Sequence, residues 1–290
     1  MINTTPMQNI ALVLSAFLLI TSCSKSSVET VDTNLEANVL TDISYGLDSR
    51  QKLDIHLPAN RSRSLTKVFV LIHGGGWTGG DKYDLNTQVA ELKQRFPEYA
   101  IANLNYRLYN NNQFKFPSQE NDVSAALQFL SSNARNYHIS SQYILIGTSA
   151  GAHLALLQAY KHAATVRPLA VISYFGPTDL ADLYAHAPNP GIPYLLTSLT
   201  GTTPSQNVDV YKQSSPIYFV SATATPTLIF HGGRDDLIPP SQSVLLRDKL
   251  QSVNAPHKLV MYPNEGHNLT GSNLLNSFEE INAFLQLHTD

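Results

Sequence analysis

The chain has 290 residues, of which 43 % are hydrophobic and 14 % are charged, and its formal net charge is -3. This balance supports a large buried core and excludes extensive disorder, and the length fits one large α/β domain or two small ones. The near-neutral charge, without any Lys/Arg run longer than two, gives no indication of a nucleic-acid partner.

The N-terminal segment has the features of an export signal. An apolar stretch over residues 10–20 is too short to span a bilayer and suits the hydrophobic part of a secretory signal. Residues 20–23 (ITSC) resemble the bacterial lipoprotein signal box, which implies cleavage before Cys23 and a lipid on its thiol. Ser24 is typical of signals sorted to an outer membrane. The first nine residues lack Lys and Arg, so an ordinary signal peptide or a misassigned start remains the alternative.

Three regions follow from this pattern. We predict a lipoprotein signal peptide over residues 1–22, a polar tether over residues 23–38, and a folded α/β domain over residues 39–290. The mature protein would then be exported and anchored to a membrane of the bacterial cell envelope through the lipid on Cys23.

The folded region alternates between strand and helix patterns. The predicted strands cover residues 39–45, 51–57, 67–72, 99–106, 143–146, 169–174, 227–230 and 258–262. The predicted helices cover residues 85–94, 121–132, 150–161, 240–251 and 274–287. The first two strands are joined by a turn signal and should form an antiparallel pair. The alternation from about residue 67 onward predicts a mostly parallel eight-stranded sheet with helices on both faces.

The segment over residues 179–224 fits the alternation worst, because it is long, rich in proline and has only short apolar runs. We interpret it as an insertion above the strand ends that holds a short helix or two. Such insertions often shape substrate pockets, although a decorative loop is the alternative.

Residues 147–151 (GTSAG) directly follow a predicted strand and directly precede a predicted helix. A serine at a sharp strand-to-helix turn is held in a strained conformation that exposes its hydroxyl group above the sheet. The residues around it must be small, and the helix N-terminus behind it favours developing negative charge. Ser149 is therefore a candidate nucleophile.

A serine nucleophile needs a base and an acid, and both are expected on loops after strands. His267 differs from the other nine histidines, because it follows the last predicted strand through a glycine-containing loop. Asp235 and Asp236 follow the preceding strand, and helix capping is the alternative role for either. The chain order of serine, aspartate and histidine is that of α/β-hydrolases.

Residues 73–77 (HGGGW) also follow a predicted strand. Ester hydrolysis passes through an anionic tetrahedral intermediate, and the backbone N–H groups of a glycine run can stabilise its oxygen. A phosphate-binding loop is the alternative, but the Gly-Lys-Ser/Thr of a nucleotide site does not follow.

The motifs HGGGW, GTSAG, HGGRDDLIP and EGH, in this order and spacing, resemble the α/β-hydrolase fold. They are most similar to bacterial carboxylesterases related to hormone-sensitive lipase and to feruloyl esterases, over about residue 40 to the C-terminus. The resemblance implies Ser149 as nucleophile, His267 as base and Asp235, rather than Asp236, as acid.

The same resemblance implies roles for the glycine loop. The oxyanion donors would be the backbone N–H groups of Gly75, Gly76 and Ala150. Gly74 would shape the turn and His73 would brace the loop without reacting. Trp77 would either wall the substrate pocket or simply pack.

These residues predict a serine carboxylesterase that works through an acyl-enzyme and needs no metal or organic cofactor. Lipase relatives carry an N-terminal helical cap, for which the chain leaves no room between tether and strands. We therefore expect short-chain esters or sugar- and aryl-linked esters as substrates. The alternatives are a serine peptidase or an arylformamidase with the same triad, or a surface lipoprotein that binds without catalysis.

Overall fold

The computed structural model describes residues 1–2 and 35–289. Cys23, most of the predicted signal peptide and most of the predicted tether lie outside these residues, so the three-region division stays a prediction. Within the described part of the chain, no helix combines the length and the apolar character that crossing a membrane requires.

A single eight-stranded sheet forms the centre of the folded region. The strands are β1 (Asn38–Ser44), β2 (Lys52–Leu57), β3 (Val68–Ile72), β4 (Ala100–Leu104), β5 (Tyr143–Thr148), β6 (Ala170–Tyr174), β7 (Thr227–Gly232) and β8 (His257–Tyr262). Their order across the sheet is β1-β2-β4-β3-β5-β6-β7-β8. The β1–β2 and β2–β4 pairs are antiparallel, and all later pairs are parallel. The predicted fold class is confirmed.

The residues that the structure describes form eight α-helices around this sheet. They are α1 (Asn86–Arg95), α2 (Ser118–Tyr137), α3 (Ala150–Tyr160), α4 (Leu180–Ala185), α5 (Gly191–Thr200), α6 (Val208–Gln213), α7 (Ser241–Ser252) and α8 (Gly271–His288). Two 3₁₀ turns lie at Lys82–Leu85 and Pro216–Phe219. The proline-rich insertion therefore holds three short α-helices and a 3₁₀ turn, which is more helix than its sequence predicts.

The side chains of β3 explain why its sequence is continuously apolar. All five residues are buried, and successive side chains point to opposite faces of the sheet. Phe69 and Leu71 pack in the core beneath α1 and α8, whereas Val70 and Ile72 pack in the core beneath α2, α3 and α7. Two cores, one on each face, fix the sheet between its helices.

Parallel strands bring their carboxyl ends to one edge of the sheet. His73 directly follows β3, Ser149 directly follows β5, and Asp235 and His267 lie on the loops after β7 and β8. Loops at this edge commonly carry the ligand site of open α/β sheets. The fold thus brings together residues that are far apart in sequence.

Candidate active site

Ser149 occupies a strained turn between β5 and α3. Its backbone angles are φ 53° and ψ -119°, a left-handed conformation that a residue with a side chain rarely adopts. A Cβ on Gly147 would lie 2.3 Å from the carbonyl oxygen of Gly151, so the turn requires glycine there. The Ser149 N–H donates to the carbonyl oxygen of Tyr174 on the adjacent strand at 2.8 Å. These constraints fix the position of the hydroxyl group.

His267 lies between the Ser149 hydroxyl group and a carboxylate. Its Nε2 is 2.9 Å from Ser149 Oγ, and its Nδ1 is 2.7 Å from Asp235 Oδ2. Because an ionised carboxylate only accepts hydrogen bonds, Nδ1 carries the hydrogen and Nε2 is free to accept the serine proton. The side chain of His267 is 20 % exposed, so it faces the cleft. This geometry can move a proton off Ser149.

The Asp235 carboxylate is fully buried, whereas Asp236 is exposed. Asp235 Oδ1 accepts hydrogen bonds from the backbone N–H groups of Leu237 and Ile238, at 3.0 and 2.9 Å. Burial alone would raise the pKa of Asp235, but hydrogen bonds from His231 and His267 outweigh it and hold that pKa below its usual range. Of the two candidate acids, the structure places Asp235 beside His267.

The glycine loop after β3 borders the Ser149 hydroxyl group. Gly75 and Gly76 have φ angles of +105° and +58°, and a Cβ on Gly75 would lie 2.3 Å from the carbonyl oxygen of Gly79. Gly74, Gly75 and Gly76 line the same cleft as Ser149. Ala150 is the first residue of α3, so its N–H has no partner within the helix. The loop can therefore present bare backbone donors beside the serine.

His73 is fully buried and braces this loop. Its ring stacks on Tyr106 with 4.3 Å between ring centroids, and the Tyr106 hydroxyl group donates to the His73 carbonyl oxygen at 2.9 Å. Burial lowers the pKa of His73 to about 4, so the ring is neutral near pH 7.

Arg50 holds the far end of the glycine loop. Its Nη2 donates to the Gly80 carbonyl oxygen at 2.8 Å, and its Nη1 pairs with Asp81 at 3.0 Å. Sequence reasoning missed Arg50 and Tyr106 as supports of the loop, because no local pattern connects them to it. The only available signal was the position of Tyr106 at the end of a predicted strand.

Trp77 does not line the cleft, which corrects one of the two expected roles. Its side chain is 3 % exposed, and its ring packs edge-on against Phe116 and His153, at 5.7 and 5.2 Å between centroids. With a φ angle of +60° at Trp77, the loop turns the indole ring into the protein interior. The packing role holds instead.

The cleft above Ser149 has a volume of about 430 Å³. Beyond the reacting groups and the glycine loop, the residues that line it are apolar or aromatic, except for four polar ones. They are Leu85, Tyr174, Phe175, Leu237, Leu269 and Leu274, with Asp84, Gln88, Thr148 and Asn268. The insertion approaches the site through Leu195 of α5, whose Cδ2 lies 3.5 Å from the position of a Cβ on Gly76. The walls of the cleft thus combine polar and apolar groups.

Comparison with known proteins places this site in a family. Residues 53–250, more than half of the chain, match the family described as BD-FAE. The chain belongs to the BD-FAE family. This is a family of α/β-hydrolase esterases, and the resemblance seen in the sequence motifs is thereby confirmed at the level of fold and class.

The named relatives of this BD-FAE chain include esterases of a plant and of a bacterium. The isoprenylcysteine alpha-carbonyl methylesterase ICME of Arabidopsis thaliana is 29 % identical over 246 residues, covering 79 % of this chain and 56 % of that protein. The probable carboxylic ester hydrolase LipM of Mycobacterium tuberculosis is 29 % identical over 230 residues, covering 73 % and 52 %. The chain spans about half the length of the curated relatives it matches.

Solved structures include a similar domain in a bifunctional GH43-CE protein of Bacteroides eggerthii. The TM-score is 0.73 at 25 % sequence identity, and the match covers 87 % of this chain and 38 % of that one.

Proposed function

We propose that this chain hydrolyses carboxylic esters through an acyl-enzyme on Ser149, with His267 as base and Asp235 as acid. The observation that carries the proposal is the continuous chain of hydrogen bonds, 2.9 Å from Ser149 Oγ to His267 Nε2 and 2.7 Å from His267 Nδ1 to Asp235 Oδ2. The serine end of this series of hydrogen bonds faces a cleft that is lined by the glycine loop. Two relatives that are named as ester hydrolases support the same reaction, although the chain covers only about half of their length.

The reaction proceeds in two steps on the same residues. Ser149 Oγ attacks the ester carbonyl carbon while His267 Nε2 takes the proton of the serine hydroxyl group. His267 then donates that proton to the oxygen of the leaving alcohol. A water molecule, deprotonated by His267, attacks the acyl-enzyme, and the acid leaves as the proton returns to Ser149 Oγ. Asp235 keeps the ring of His267 oriented and stabilises its protonated form.

The tetrahedral intermediate of each step carries an oxyanion. We assign its donors to the backbone N–H groups of Gly75, Gly76 and Ala150, because the glycine loop and the start of α3 both border Ser149. A donor of this kind contributes about 3 kcal/mol to transition-state stabilisation.

The proposed substrates are esters with a short acyl chain or with a sugar or aryl group. Four polar residues, Asp84, Gln88, Thr148 and Asn268, line the cleft beside its leucines, which suits a substrate that carries hydroxyl groups. The bifunctional GH43-CE protein, at 25 % identity, adds support for a carbohydrate-linked ester.

Hydrolysis of a p-nitrophenyl ester series tests the function. We expect turnover of the acetate and butyrate esters, a fall toward long acyl chains, and turnover of methyl ferulate. A peptide anilide and an aryl formamide should react far more slowly, since amides need stronger leaving-group protonation. Faster amide turnover would assign the site to a peptidase or a formamidase, and folded protein that turns over none of these substrates would point to a binding role.

We also propose that the protein sits at a bacterial envelope membrane through a lipid on Cys23, a proposal that rests on residues 20–23 alone. In cells given an alkyne-labelled fatty acid, we expect the protein to take up the label and to fractionate with membranes. Cys23→Ser is the matched variant, and equal labelling of both proteins would rule out this attachment site.

A further inference from the structure

We propose that His231 is a positioning residue for the proposed acid, as a second imidazole donor to the Asp235 oxygen that holds His267. The sequence motif HGGRDD contains this histidine, but the proposed mechanism uses only its aspartate. The inference rests on the proposed function, because it assigns His231 an influence on the base of that mechanism.

The contacts of His231 define where its hydrogen lies. The side chain is fully buried in β7, and its Nε2 lies 2.9 Å from the Ile238 carbonyl oxygen and 3.2 Å from Asp235 Oδ2. Both of these oxygens only accept, so Nε2 carries the hydrogen and shares it between them. Nδ1 lies 2.6 Å from Ser243 Oγ, whose hydroxyl group can donate to it. Ser243 thereby favours the tautomer that points a donor at Asp235.

This arrangement completes the coordination of the Asp235 carboxylate. Its Oδ1 accepts two backbone N–H groups, and its Oδ2 accepts the N–H of His267 and lies 3.2 Å from His231 Nε2, whose hydrogen bond is made mainly to the Ile238 carbonyl oxygen. The three hydrogen bonds fix the plane of the carboxylate, and the shared N–H of His231 adds a weaker interaction at Oδ2. Each hydrogen bond to a carboxylate weakens the basicity that remains for the others. His231 therefore limits how strongly Asp235 stabilises the protonated form of His267.

Phe175 packs against both imidazoles. Its ring lies 5.8 Å from the His231 ring and 5.5 Å from the His267 ring, centroid to centroid. Both histidines also lie within 3.2 Å of the same carboxylate oxygen, Asp235 Oδ2. The influence of His231 on His267 passes through Asp235.

Other ionisable groups surround the site and remain unchanged in the test. Asp84 lines the cleft, and Glu265 lies two residues before His267 but is bound by Thr270 and Asn273. Asp236 is exposed next to Asp235.

Two variants, H231Q and H231N, distinguish an N–H donor placed at Asp235 from an N–H donor placed at Ser243. The amide nitrogen of a glutamine reaches the position of Nε2, whereas that of an asparagine stops near the position of Nδ1 and faces Ser243. In H231N, loss of one donor from Oδ2 should stabilise protonated His267 and raise the midpoint of its titration by about 0.5 to 1 pH unit. In H231Q the midpoint should stay near that of the wild type.

The midpoint is measured by NMR titration of the ¹⁵N-labelled imidazole of His267, assigned by comparison with H267Q. The pH dependence of fluorophosphonate labelling of Ser149 should shift in the same direction in H231N, and the pH profile of kcat should shift with it while KM stays unchanged. Ser243→Ala is a second probe if H231N does not fold. It leaves the ring in place but removes the hydroxyl partner of Nδ1, so the Nε2 donor is held less firmly beside Asp235 and the upward shift should be smaller.

The outcomes distinguish the two proposals. Wild-type midpoints in H231N and in Ser243→Ala would overturn the role of His231, as would equal shifts in H231N and H231Q. If the NMR midpoint shifts as expected while Ser149 of the wild type is never labelled, the role of His231 stands and the proposed function fails.

Discussion

Ser149→Ala is expected to lower kcat for p-nitrophenyl acetate by about 10⁴- to 10⁶-fold. The alanine leaves His267 and the glycine loop in place, so substrate still binds and the oxyanion donors still act. The covalent step is lost, because the methyl group cannot attack a carbonyl carbon. KM should therefore change little, and the loss should appear almost wholly in kcat. Steady-state kinetics on both proteins give the two parameters.

Covalent labelling provides the control for this variant. A fluorophosphonate should label the wild type and Ser132→Ala, which changes an exposed serine on α2, but not Ser149→Ala. Circular dichroism should show the same fold for all three proteins. Labelling of Ser149→Ala at the wild-type rate would show that another residue is the nucleophile.

Much of the fold could be read from the sequence, because parallel strands buried on both faces have continuous apolar runs. The predicted strand over residues 67–72 and the observed β3, Val68–Ile72, differ by one residue. The helices were less well bounded. The prediction for α2 covered residues 121–132, whereas the helix extends over Ser118–Tyr137. Its apolar spacing marks the buried face, but its C-terminus is set by the left-handed conformation of His138, which periodicity does not reveal.

The candidate site was readable in part for a related reason. Ser149, Asp235 and His267 each follow a strand, and strand ends meet at one edge of a parallel sheet. Contacts between loops that are far apart in sequence have no such signal. Arg50 reaches the glycine loop from 30 residues away in sequence. The direction of the Trp77 ring depends on the path of the loop, and so the sequence left two roles open.

The choice between Asp235 and Asp236 shows how burial decides a chemical role. The Asp235 carboxylate lies in the interior, whereas its neighbour Asp236 is exposed. An isolated buried carboxylate would be costly, and the three hydrogen bonds that Asp235 accepts offset that cost. The site therefore maintains an anion next to His267 without solvent, which is the condition under which it can orient the ring.

Asp235→Asn is accordingly expected to reduce kcat by about 10⁴-fold. Asparagine has one oxygen, whereas the two carboxylate oxygens of Asp235 accept hydrogen bonds from Leu237, Ile238 and His267. If the amide oxygen faces Leu237 and Ile238, the NH₂ group faces His267 Nδ1 and turns the ring to the tautomer that cannot accept the serine proton. If the amide turns round, its NH₂ group faces two backbone donors. In either orientation a buried donor is left without an acceptor, which destabilises the fold by about 1 to 3 kcal/mol.

Asp236→Asn is the matched control, since it makes the same chemical change at the exposed neighbour. It should leave kcat, KM and the denaturation midpoint within error of the wild type. Because the destabilisation of Asp235→Asn is small against a 10⁴-fold loss, kinetics on the folded fraction separate catalysis from folding. If the two variants exchanged their effects, Asp236 would be the acid and the hydrogen bond between His267 and Asp235 would be only structural. If both variants retained activity, Ser149 would have to be activated without a carboxylate, and the proposed role of Asp235 would be wrong.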